Sequence, residues 1–396
     1  MALDVRKHDA LQEQYALSYW EQEVFFKNLD LVIVGSGLVG LSAALSCVER
    51  DPSLRIAVFE RGPLPIGAST RNAGFACFGS MTELLDDLER SDEDRVWELV
   101  RRRWQGLQRL RRRLGDRELD FEMAGGYELF RPDEEDRYQA CMERRAVFNR
   151  LLADITGKQE LFAPADERIA DFGFRGVRHL IYNRAEGQLH PGKMVARLLA
   201  RARARGVQVL TGMEILTLND EGNAVVLTTS QGWRIVARRA LVATNGFARQ
   251  LLPATPVSPA RNQVLLTEPI PGLSLRGVFH YDRGYFYFRE VEGRLLLGGG
   301  RHLAETEEQT EALGTTPRIR AALLRLLQEV VLPGRSVAID RWWSGVLGIG
   351  AEKTPIVKKV SPRIAVAARL GGMGVAIGTL VGEEAAEKLR IFSSPA

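Results

Sequence analysis

The apolar and polar positions along the chain predict a strand–helix–strand unit near its start and further strand and helix signals later. Leu31–Val34 is an apolar run typical of a buried parallel strand, and Arg55–Glu60 is a second strand. Gly40–Glu49, between them, has the composition of a helix. Pro191–Gly206 is a later helix, bounded by a proline and a glycine that favour its start and its end. Arg363–Leu389 completes the pattern with a strand, a glycine turn and a helix.

These signals predict two interleaved domains. Patterns typical of a nucleotide-binding fold occur near the start, in the middle and at the end, which predicts one domain built from residues 28–83, 183–256 and 333–396. The two insertions, 84–182 and 257–332, form the second domain. The predicted fold class is α/β, with a Rossmann-like dinucleotide-binding domain and an interleaved α+β domain around an antiparallel sheet.

A glycine-rich loop follows the first predicted strand and fits the pattern GxGxxG over Gly35-Ser36-Gly37-Leu38-Val39-Gly40. Gly35 permits the tight turn, Gly37 allows the backbone to approach a pyrophosphate, and Gly40 lets helix and strand pack closely. The helix N-terminus then meets the phosphate charge with its unpaired amides. Glu60, at the end of the second strand, can accept hydrogen bonds from ribose hydroxyls. A purely structural glycine turn is the alternative, and strand, helix and acid together favour a dinucleotide site.

The segment after Glu60 favours flavin over nicotinamide. Arg61–Phe75 reads RGPLPIGASTRNAGF, whereas a nicotinamide enzyme usually enters its next helix directly. Its hydroxyl, guanidinium and amide groups stand between small residues and suit a loop that lies along a second phosphate and a ribityl chain. A solvated surface loop is the other interpretation, and the density of glycine, alanine and asparagine argues against it.

Several stretches resemble, in the right order, the D-amino-acid oxidase (DAO) superfamily of flavoproteins. They are SYWEQE before the first strand, GASTRNAG after Glu60, GQLHPGKMVARLL, GVQVLTGMEILTLN, ALVATNGFA, PARNQVLLTE, GRLLLGGG and the last glycine turn. The resemblance covers nearly the whole chain and, within the superfamily, is nearest to gamma-glutamylputrescine oxidase and glycine/sarcosine oxidase-like members. It implies a glutathione-reductase-like fold with FAD as the cofactor.

The resemblance also implies which residues contact FAD, in addition to the glycine loop and Glu60. They are Arg61, Ala68, Ser69, Thr70, Arg71, Asn72, Ala73 and Gly74, then Ile215 beside the adenine, Ala243, Thr244, Asn245 and Gly246 near the pyrophosphate, and Gly348, Arg369, Gly371, Gly372, Met373, Gly374 and Val375 towards the flavin ring. A helix that starts near Gly374 would direct its positive end at the ring and stabilise negative charge on reduced flavin by about 1 kcal/mol. Many relatives have Ser-Gly-His-Gly where this chain has Gly-Gly-Met-Gly, which leaves the substrate and the electron acceptor open.

The implied reaction is oxidation of the C–N bond of an amino acid, secondary amine or polyamine derivative to an imine, with dioxygen as acceptor and hydrogen peroxide as product. Hydride transfer is the chemistry of the cofactor, so the protein binds and orients the substrate. Three alternatives stay open: a 2-hydroxy-acid dehydrogenase that passes electrons to a quinone, a flavin oxidase that modifies a tRNA base, and a flavin-binding module without enzymatic activity.

Candidate substrate-binding residues come from the second domain. A guanidinium group would suit a substrate carboxylate, and Arg261, Arg283 and Arg289 are the candidates. Tyr285, Tyr287 and Arg289 alternate on one face of a predicted strand, where they would form a cage for carboxylate and amine over the flavin. Packing of that face on helices is an equal alternative.

Other candidates lie around the expected flavin ring. By the resemblance, Trp343 would form an aromatic wall of the site, and a core position is the alternative. Lys353, Lys358 and Arg369 are candidates for a cation that assists reoxidation by dioxygen. Cys77 would lie near the ring, where a buried apolar cysteine is favoured over a covalent link to flavin.

Composition and charge are those of an ordinary globular protein. The 396 residues are 45% hydrophobic and 26% charged, with a formal net charge of +4. Three widely spaced cysteines suggest neither a metal site nor a disulfide framework, so no metal is predicted. Neither a signal peptide nor a membrane-spanning run is visible, so we expect a cytoplasmic protein with a small-molecule substrate. A homo-oligomer stays open.

One predicted helix, Ser91–Leu114, is unusually rich in arginine. Seven arginines occur over Arg101–Arg113 without an acid among them, beside an apolar stripe at helical spacing. A surface helix with its arginines in water is the favoured interpretation, and an anionic membrane surface or RNA phosphates are the alternatives. Nucleic acid is disfavoured because no aromatic stacking platform accompanies the arginines.

Overall fold

The structure is a computed structural model that describes residues 16–389. Residues 1–15, which make up most of the N-terminal stretch searched for a signal peptide, lie outside the described residues. Within 16–389, no helix is long and apolar enough to cross a bilayer.

The strands form two large sheets and one small sheet. In chain order they are β1 (Leu29–Val34), β2 (Ile56–Glu60), β3 (Phe75–Ala76), β4 (Gly126–Phe130), β5 (Phe162–Pro164), β6 (His179–Asn183), β7 (Gly187–Gln188), β8 (Gln208–Thr211), β9 (Ile215–Asp220), β10 (Val225–Thr229), β11 (Arg234–Val242), β12 (Ser258–Thr267), β13 (Val278–Tyr281), β14 (Phe286–Val291), β15 (Arg294–Gly299), β16 (Ile339–Ile349), β17 (Ile356–Lys359) and β18 (Ile364–Ala368).

The α-helices pack around and between these sheets. In chain order they are α1 (Tyr19–Glu21), α2 (Leu38–Arg50), α3 (Ala68–Arg71), α4 (Met81–Arg90), α5 (Glu93–Leu114), α6 (Asp116–Leu119), α7 (Glu135–Thr156), α8 (Arg168–Phe172), α9 (Pro191–Ala204), α10 (Glu305–Glu308), α11 (Pro317–Leu326) and α12 (Gly374–Leu389). Short π-helical and 3₁₀ segments lie at Gln22–Phe26, Pro132–Glu134, Asn245–Gln250, Arg301–Ala304 and Leu327–Val331.

The first sheet confirms the Rossmann-like prediction. Its strand order is β17-β18-β11-β1-β2-β8, with β8, β2, β1, β11 and β18 parallel and β10 and β9 added to β11 as an antiparallel extension. Leu31, Val32 and Ile33 are fully buried because α2 and α12 cover one face and the β9–β10 extension covers the other. The first helix starts at Leu38 rather than Gly40, since the extended backbone of Gly37 caps it.

The second sheet confirms the predicted α+β part of the fold. Its order is β16-β12-β15-β14-β13-β4-β6-β5, antiparallel except for the parallel β13–β4 pair. Phe279 and Phe288 stack at 4.8 Å on the face that packs against α11. His280 and Tyr287 are neighbours in register, and both rings meet Phe75 of β3 edge to face. The second sheet therefore faces the segment that follows the predicted FAD loop.

The positions of β16 and α5 differ from the predicted domain boundaries. β16, which was assigned to the dinucleotide-binding domain from residue 333, pairs along its length with β12 in the second sheet. The chain therefore returns to the first sheet only at β17. α5, assigned to the second domain, buries Leu99, Leu110 and Leu114 in the same core as α2 and α12. Its apolar stripe requires a partner surface, and α12 provides it.

The arginines of α5 are largely engaged with carboxylates. Arg102 lies 2.6 Å from Glu384, Arg113 lies 3.0 Å from Glu383, and Arg109 also pairs with Glu383. Both acids belong to α12. The basic face of the helix is therefore in large part an interhelical contact, and fewer guanidinium groups are available to phosphates than the sequence suggests.

The contact of α5 with α12 predicts the effect of one added methyl group. A Cβ on Gly106 would run into the carbonyl oxygen of Ala376, so Gly106→Ala should lower the free energy of unfolding by about 1–3 kcal/mol. Glycine to alanine in an exposed helix normally stabilises by about 0.5–1 kcal/mol. Gln105→Ala, at an exposed position of the same helix, is the control. Urea unfolding of Gly106→Ala at or above wild-type stability would contradict this packing.

Candidate active site

A cavity of about 590 Å³ lies between the two sheets, and we call it the central cavity. Its volume is typical of a site for a small ligand or cofactor. The parts of the chain that meet in it include the glycine loop after β1, the loop after β2, helix α4, the segment after β11, one face of the second sheet, and the turn before α12.

The glycine loop has the geometry that the spacing predicts. Gly35 has φ of +106°, and a Cβ there would lie 2.8 Å from the carbonyl oxygen of Ala243. A Cβ on Gly40 would collide with the carbonyl oxygen of Gly35. The amide of Leu38, at the start of α2, donates to the Ser69 hydroxyl at 2.9 Å. The helix N-terminus thus opens onto the cavity with Ser69 at its tip, an arrangement suited to an anion.

Glu60 is buried and fixes this loop. One carboxylate oxygen accepts the Ser36 hydroxyl at 2.7 Å and the Ser36 amide at 3.3 Å, while the other accepts the Gly62 amide at 3.1 Å. The side chain also lines the central cavity. Glu60 therefore supports the loop as well as facing the space where a ribose is expected, and its contact with ribose remains a prediction.

The loop after β2 is braced by its own polar side chains. The Asn72 amide group donates to the carbonyls of Ala68 and Ser69, both at 2.9 Å, and accepts from the Gly74 amide. The Thr70 hydroxyl donates to the Pro65 carbonyl at 2.6 Å. These groups hold the loop in shape, so its conformation is set before any ligand binds.

Trp343 does not form a wall of the cavity. Its indole N–H donates to the carbonyl of Arg71 at 3.0 Å, and the Arg71 guanidinium donates to the Ser344 carbonyl at 3.0 Å. Trp343 is absent from the residues of the described chain that line the cavity, whereas Arg71 lines it. The tryptophan therefore anchors the loop after β2 to β16.

The residues present fit a dinucleotide on the far side of the cavity. The Thr244 hydroxyl is buried and has no hydrogen-bond partner among the described residues, so a ligand donor or acceptor would satisfy it. The Asn245 side chain accepts the Leu370 amide at 3.3 Å and so joins β11 to the terminal turn. A Cβ on Gly348 would lie 2.5 Å from that Asn245 oxygen, which explains the glycine.

The terminal turn closes the cavity opposite the second sheet. α12 begins at Gly374, as predicted, and Gly371 has φ of +59°. The Met373 sulfur lies 3.4 Å from the Cys77 sulfur. Burial raises the pKa of the Cys77 thiol well above its usual range, which disfavours the thiolate. This supports the buried-cysteine interpretation over a covalent link.

Most predicted cofactor-binding residues come together on the cavity. Those that line it are Gly35, Gly37, Leu38, Val39, Glu60, Arg61, Ala68, Ser69, Arg71, Asn72, Ala73, Ile215, Ala243, Thr244, Asn245, Arg369, Gly371, Gly372, Met373, Gly374 and Val375. Ser36, Gly40, Thr70, Gly74, Gly246 and Gly348 lie behind this surface and support it. Of the predicted substrate-binding residues, Tyr285, Tyr287 and Arg283 line the cavity.

Arg261 and Arg289 are not brought to the cavity. Arg261 donates two hydrogen bonds to the buried Glu308 carboxylate, both at 2.9 Å, and this hydrogen bonding raises its pKa. Arg289 donates to the carbonyls of Ala73 at 2.6 Å and Leu189 at 3.1 Å. Burial lowers the pKa of Arg289 to about 10. Both guanidinium groups are already hydrogen-bonded to the protein and cannot also hold a substrate in the cavity.

Arg301, which sequence reasoning missed, is an arginine of the cavity. Its guanidinium carbon lies 5.3 Å from the centre of the Tyr285 ring, and that of Arg283 lies 5.4 Å from the same ring. Arg283 has Asp282 at 3.3 Å, whereas no carboxylate partner of Arg301 occurs within the described part of the chain. Nothing in the local sequence distinguishes Arg301 from other arginines, because its position depends on the turn after β15.

His280 is a second residue that the sequence did not reveal. Its Nε2 lies 2.9 Å from the Glu186 carboxylate, both side chains are almost fully buried, and the imidazole lines the cavity. Burial lowers the pKa of His280, but the charge and hydrogen bond of Glu186 outweigh it and raise the pKa to about 9. The two residues are 94 positions apart, so only the fold brings them together.

Carboxylates line the side of the cavity formed by α4. Glu83, Asp86 and Asp87 all face it, with Lys353 2.6 Å from Asp87 and Arg283 4.0 Å from Asp86. Burial raises the pKa of Asp87. The three carboxylates of α4 therefore lie within 4.0 Å of Lys353 or Arg283, so this side of the cavity carries ion pairs.

Comparison with known proteins identifies the family to which these features belong. The family model described as "DAO: FAD dependent oxidoreductase" matches residues 30–388. Among curated proteins, "Probable oxidoreductase OrdL" of Rhizobium meliloti is 26% identical over 373 residues, covering 91% of this chain and 83% of the relative. "Sarcosine oxidase subunit beta" of the same organism is 24% identical over 356 residues, covering 86% and 79%.

Solved structures share the fold across the same length. L-proline dehydrogenase from P. horikoshii has a TM-score of 0.71 at 18% identity, covering 91% of this chain and 92% of its own. Glycine oxidase from Geobacillus kaustophilus has a TM-score of 0.71 at 19% identity, covering 93% and 96%. The two-sheet architecture is therefore that of known flavoproteins.

The hydrogen bonds of Glu60 predict that replacing its carboxylate with an uncharged amide lowers the affinity for the cofactor. Glu60→Gln replaces one acceptor oxygen by an N–H₂ group that faces backbone or hydroxyl donors, and hydrogen bonds to a charged group contribute about 1.5–3 kcal/mol. The Kd for FAD should rise at least about tenfold. Quenching of FAD fluorescence by apoprotein measures it. Glu49→Gln, which removes a carboxylate on the surface paired with Arg113, should leave the Kd unchanged.

Proposed function

Because the chain belongs to the DAO family of FAD-dependent oxidoreductases, we propose that it oxidises the C–N bond of an amino acid or carboxylate-bearing amine to an imine, with dioxygen as the electron acceptor. FAD, when bound, would supply the hydride acceptor and the route for electrons to dioxygen, while the side chains of the cavity bind and orient the substrate. Water hydrolyses the imine, and the second product is hydrogen peroxide. A secondary amine or polyamine derivative with a carboxylate falls within the same class.

The observation that carries this proposal is the guanidinium of Arg301, which has no carboxylate partner among residues 16–389 and lines the same cavity as the loops predicted to bind FAD. A guanidinium in a partly buried cavity favours an anion, and a carboxylate can take two parallel hydrogen bonds from it. Arg301 therefore replaces Arg261 and Arg289 as the candidate for the carboxylate end of the substrate. The guanidinium of Arg301 lies 5.3 Å from the centre of the Tyr285 ring, so the ring helps to position it.

Tyr287 extends the same binding surface. Its hydroxyl accepts a hydrogen bond from the Asn262 amide at 3.1 Å and keeps its own proton for a ligand oxygen. Burial raises the pKa of Tyr287, so the hydroxyl stays protonated over the working pH range. The ring has room because Gly298 lies opposite, where a Cβ would be 2.7 Å from it. A carboxylate held by Arg301 and Tyr287 would orient the adjacent C–H bond.

The names of similar proteins agree with a substrate of this kind. Sarcosine oxidase, L-proline dehydrogenase and glycine oxidase are each named for a compound with an amine and a carboxylate. The carboxylates along α4 are paired with Lys353 and Arg283, whereas Arg301 beside Tyr285 suits the carboxylate of such a substrate. Charge distribution in the cavity thus supports an amino acid more than a simple amine.

An anaerobic substrate screen tests the proposal. Holoenzyme without oxygen is mixed with amino acids, N-methyl amino acids, diamines and 2-hydroxy acids, and the flavin absorbance is followed. We expect bleaching by at least one amine with a carboxylate, and peroxide when air is admitted. Bleaching by 2-hydroxy acids alone, with electrons passing to a quinone-like dye, would replace the proposal by a hydroxy-acid dehydrogenase. No bleaching by any amine would refute it.

The position of Arg301 predicts a selective effect on substrate binding. Arg301→Gln should raise KM for a carboxylate substrate by about tenfold to a hundredfold with a smaller change in kcat, because the lost contact exists before and during the reaction. KM for the corresponding amine without a carboxylate should not change. Arg335→Gln, on an exposed loop, is the control. Equal losses for both substrates would show that Arg301 does not bind the carboxylate.

A further inference from the structure

The central cavity contains several cations, and most are held by other groups. Lys353, a predicted candidate for assisting dioxygen, lies 2.6 Å from Asp87 and 3.9 Å from Glu83. Arg369 donates to the Thr354 carbonyl at 2.9 Å and pairs with Glu352 at 3.2 Å. Lys358 lies on β17 and does not line the cavity. None of the three predicted cations is a buried group whose charge faces the cavity without a carboxylate between them.

His280 has a different geometry, because its partner lies behind it. The imidazole lines the cavity, whereas Glu186 does not. The Glu186 carboxylate lies over Gly126, where a side chain would occupy the same space. The ion pair therefore presents its positive end to the cavity and keeps its negative end inside the protein.

The location of His280 is close to the expected reactive end of the cavity. Its ring meets Phe75 edge to face at 5.3 Å. Two residues further along the chain, the Cys77 sulfur contacts Met373 in the turn before α12. The second sheet and the terminal turn approach each other there, so His280 is on the sheet side of the same space.

The charges that face His280 hold its proton. Glu186 lies 2.9 Å from Nε2 and can accept a hydrogen bond from the protonated ring. Glu128 is the neighbour in register on β4, and burial raises its pKa. Glu83 faces the ring from α4. Tyr287 is the neighbour on β14 and is uncharged. Three acidic side chains thus lie around one imidazole, and Glu186 is the one within hydrogen-bond distance of it.

We propose that His280, backed by Glu186, is the fixed cation that accelerates electron transfer to dioxygen in this chain. The proposal rests on the proposed function only in taking dioxygen as the acceptor. With FAD bound and reduced, dioxygen would take two electrons and one proton from the cofactor and a second proton from solvent, which gives hydrogen peroxide and oxidised FAD. The oxygen carries negative charge before the protons arrive, and a preoriented cation in a water-poor site stabilises that charge.

The raised pKa sets the direction of the pH dependence. His280 carries its charge below a pKa of about 9 and loses it as the pH rises through that value. The rate of reoxidation should therefore be high at neutral pH and fall across the region around pH 9. Without the Glu186 carboxylate, burial becomes the main effect and lowers the pKa of His280. The decrease in the reoxidation rate should then occur at a lower pH.

Stopped-flow reoxidation of photoreduced holoenzyme tests this without a substrate. The protein is reduced by light, mixed with dissolved dioxygen at several pH values, and the oxidised flavin absorbance is followed. We expect His280→Gln to lose about tenfold or more of the wild-type rate at neutral pH and to lose the pH dependence. His190→Gln, in the cap of α9, is the control and should retain both.

Glu186→Gln provides the second variant and a measurement independent of turnover. Its reoxidation rate should be low at neutral pH and recover on acidification, a signature that a purely structural defect does not produce. The ¹⁵N chemical shifts of the imidazole should report a lower pKa of His280 than in wild type. An unchanged rate in His280→Gln, wild-type reoxidation no faster than free reduced flavin, or a His280 pKa unaffected by Glu186→Gln would each overturn the proposal. None of these depends on finding an amine substrate.

Discussion

The candidate FAD site depends on the buried carboxylate of Glu60. Its oxygens accept hydrogen bonds from Ser36 and Gly62, so the loop after β1 and the segment after β2 are fixed to each other. A buried carboxylate without such partners would be costly, and with them it makes one conformation of the loop strongly preferred. The Ser69 hydroxyl then lies at the start of α2, and the loop that continues from it is tied to β16 through Arg71 and Trp343. The geometry of the cofactor site therefore follows from one acid at the end of one strand.

The second sheet separates arginines that hold the structure together from those that face the cavity. Arg261 is bound to Glu308 and Arg289 to two backbone carbonyls, and both contacts are buried. A buried cation without partners is unfavourable, so these groups are satisfied inside the protein. Arg301 and His280 remain on the cavity, one beside Tyr285 and the other in front of Glu186. The cavity therefore has Arg301 and His280 on the side of the second sheet, with Arg283 of the same side within 4.0 Å of Asp86 on α4.

Local pattern predicted the parts of the molecule that depend on neighbours in sequence. The first strand, the first helix within two residues, the start of α12 at Gly374 and the family were all predicted correctly, because apolar period and glycine spacing are local properties. The division at residue 333 was wrong for β16, whose place is decided by pairing with β12. The arginine-rich helix was correctly predicted as a helix. Its ion-pair partners on α12, however, come about 280 residues later in the chain, so no nearby residue indicates them.

By itself, the sequence determined an α/β fold with a Rossmann-like domain and FAD as its cofactor, because glycine positions and strand ends constrain the backbone wherever they occur. Which loops contact FAD stays a prediction. The sequence could not determine which of many arginines would face the ligand, because that depends on which carboxylates and carbonyls come near each one after folding. Arg289 and Arg301 are equally basic in the sequence, and only the packing of β14 against the FAD loop engages the first and leaves the second exposed to the cavity. The raised pKa of His280 was decided in the same way, since it requires the Glu186 carboxylate that only folding brings beside the imidazole.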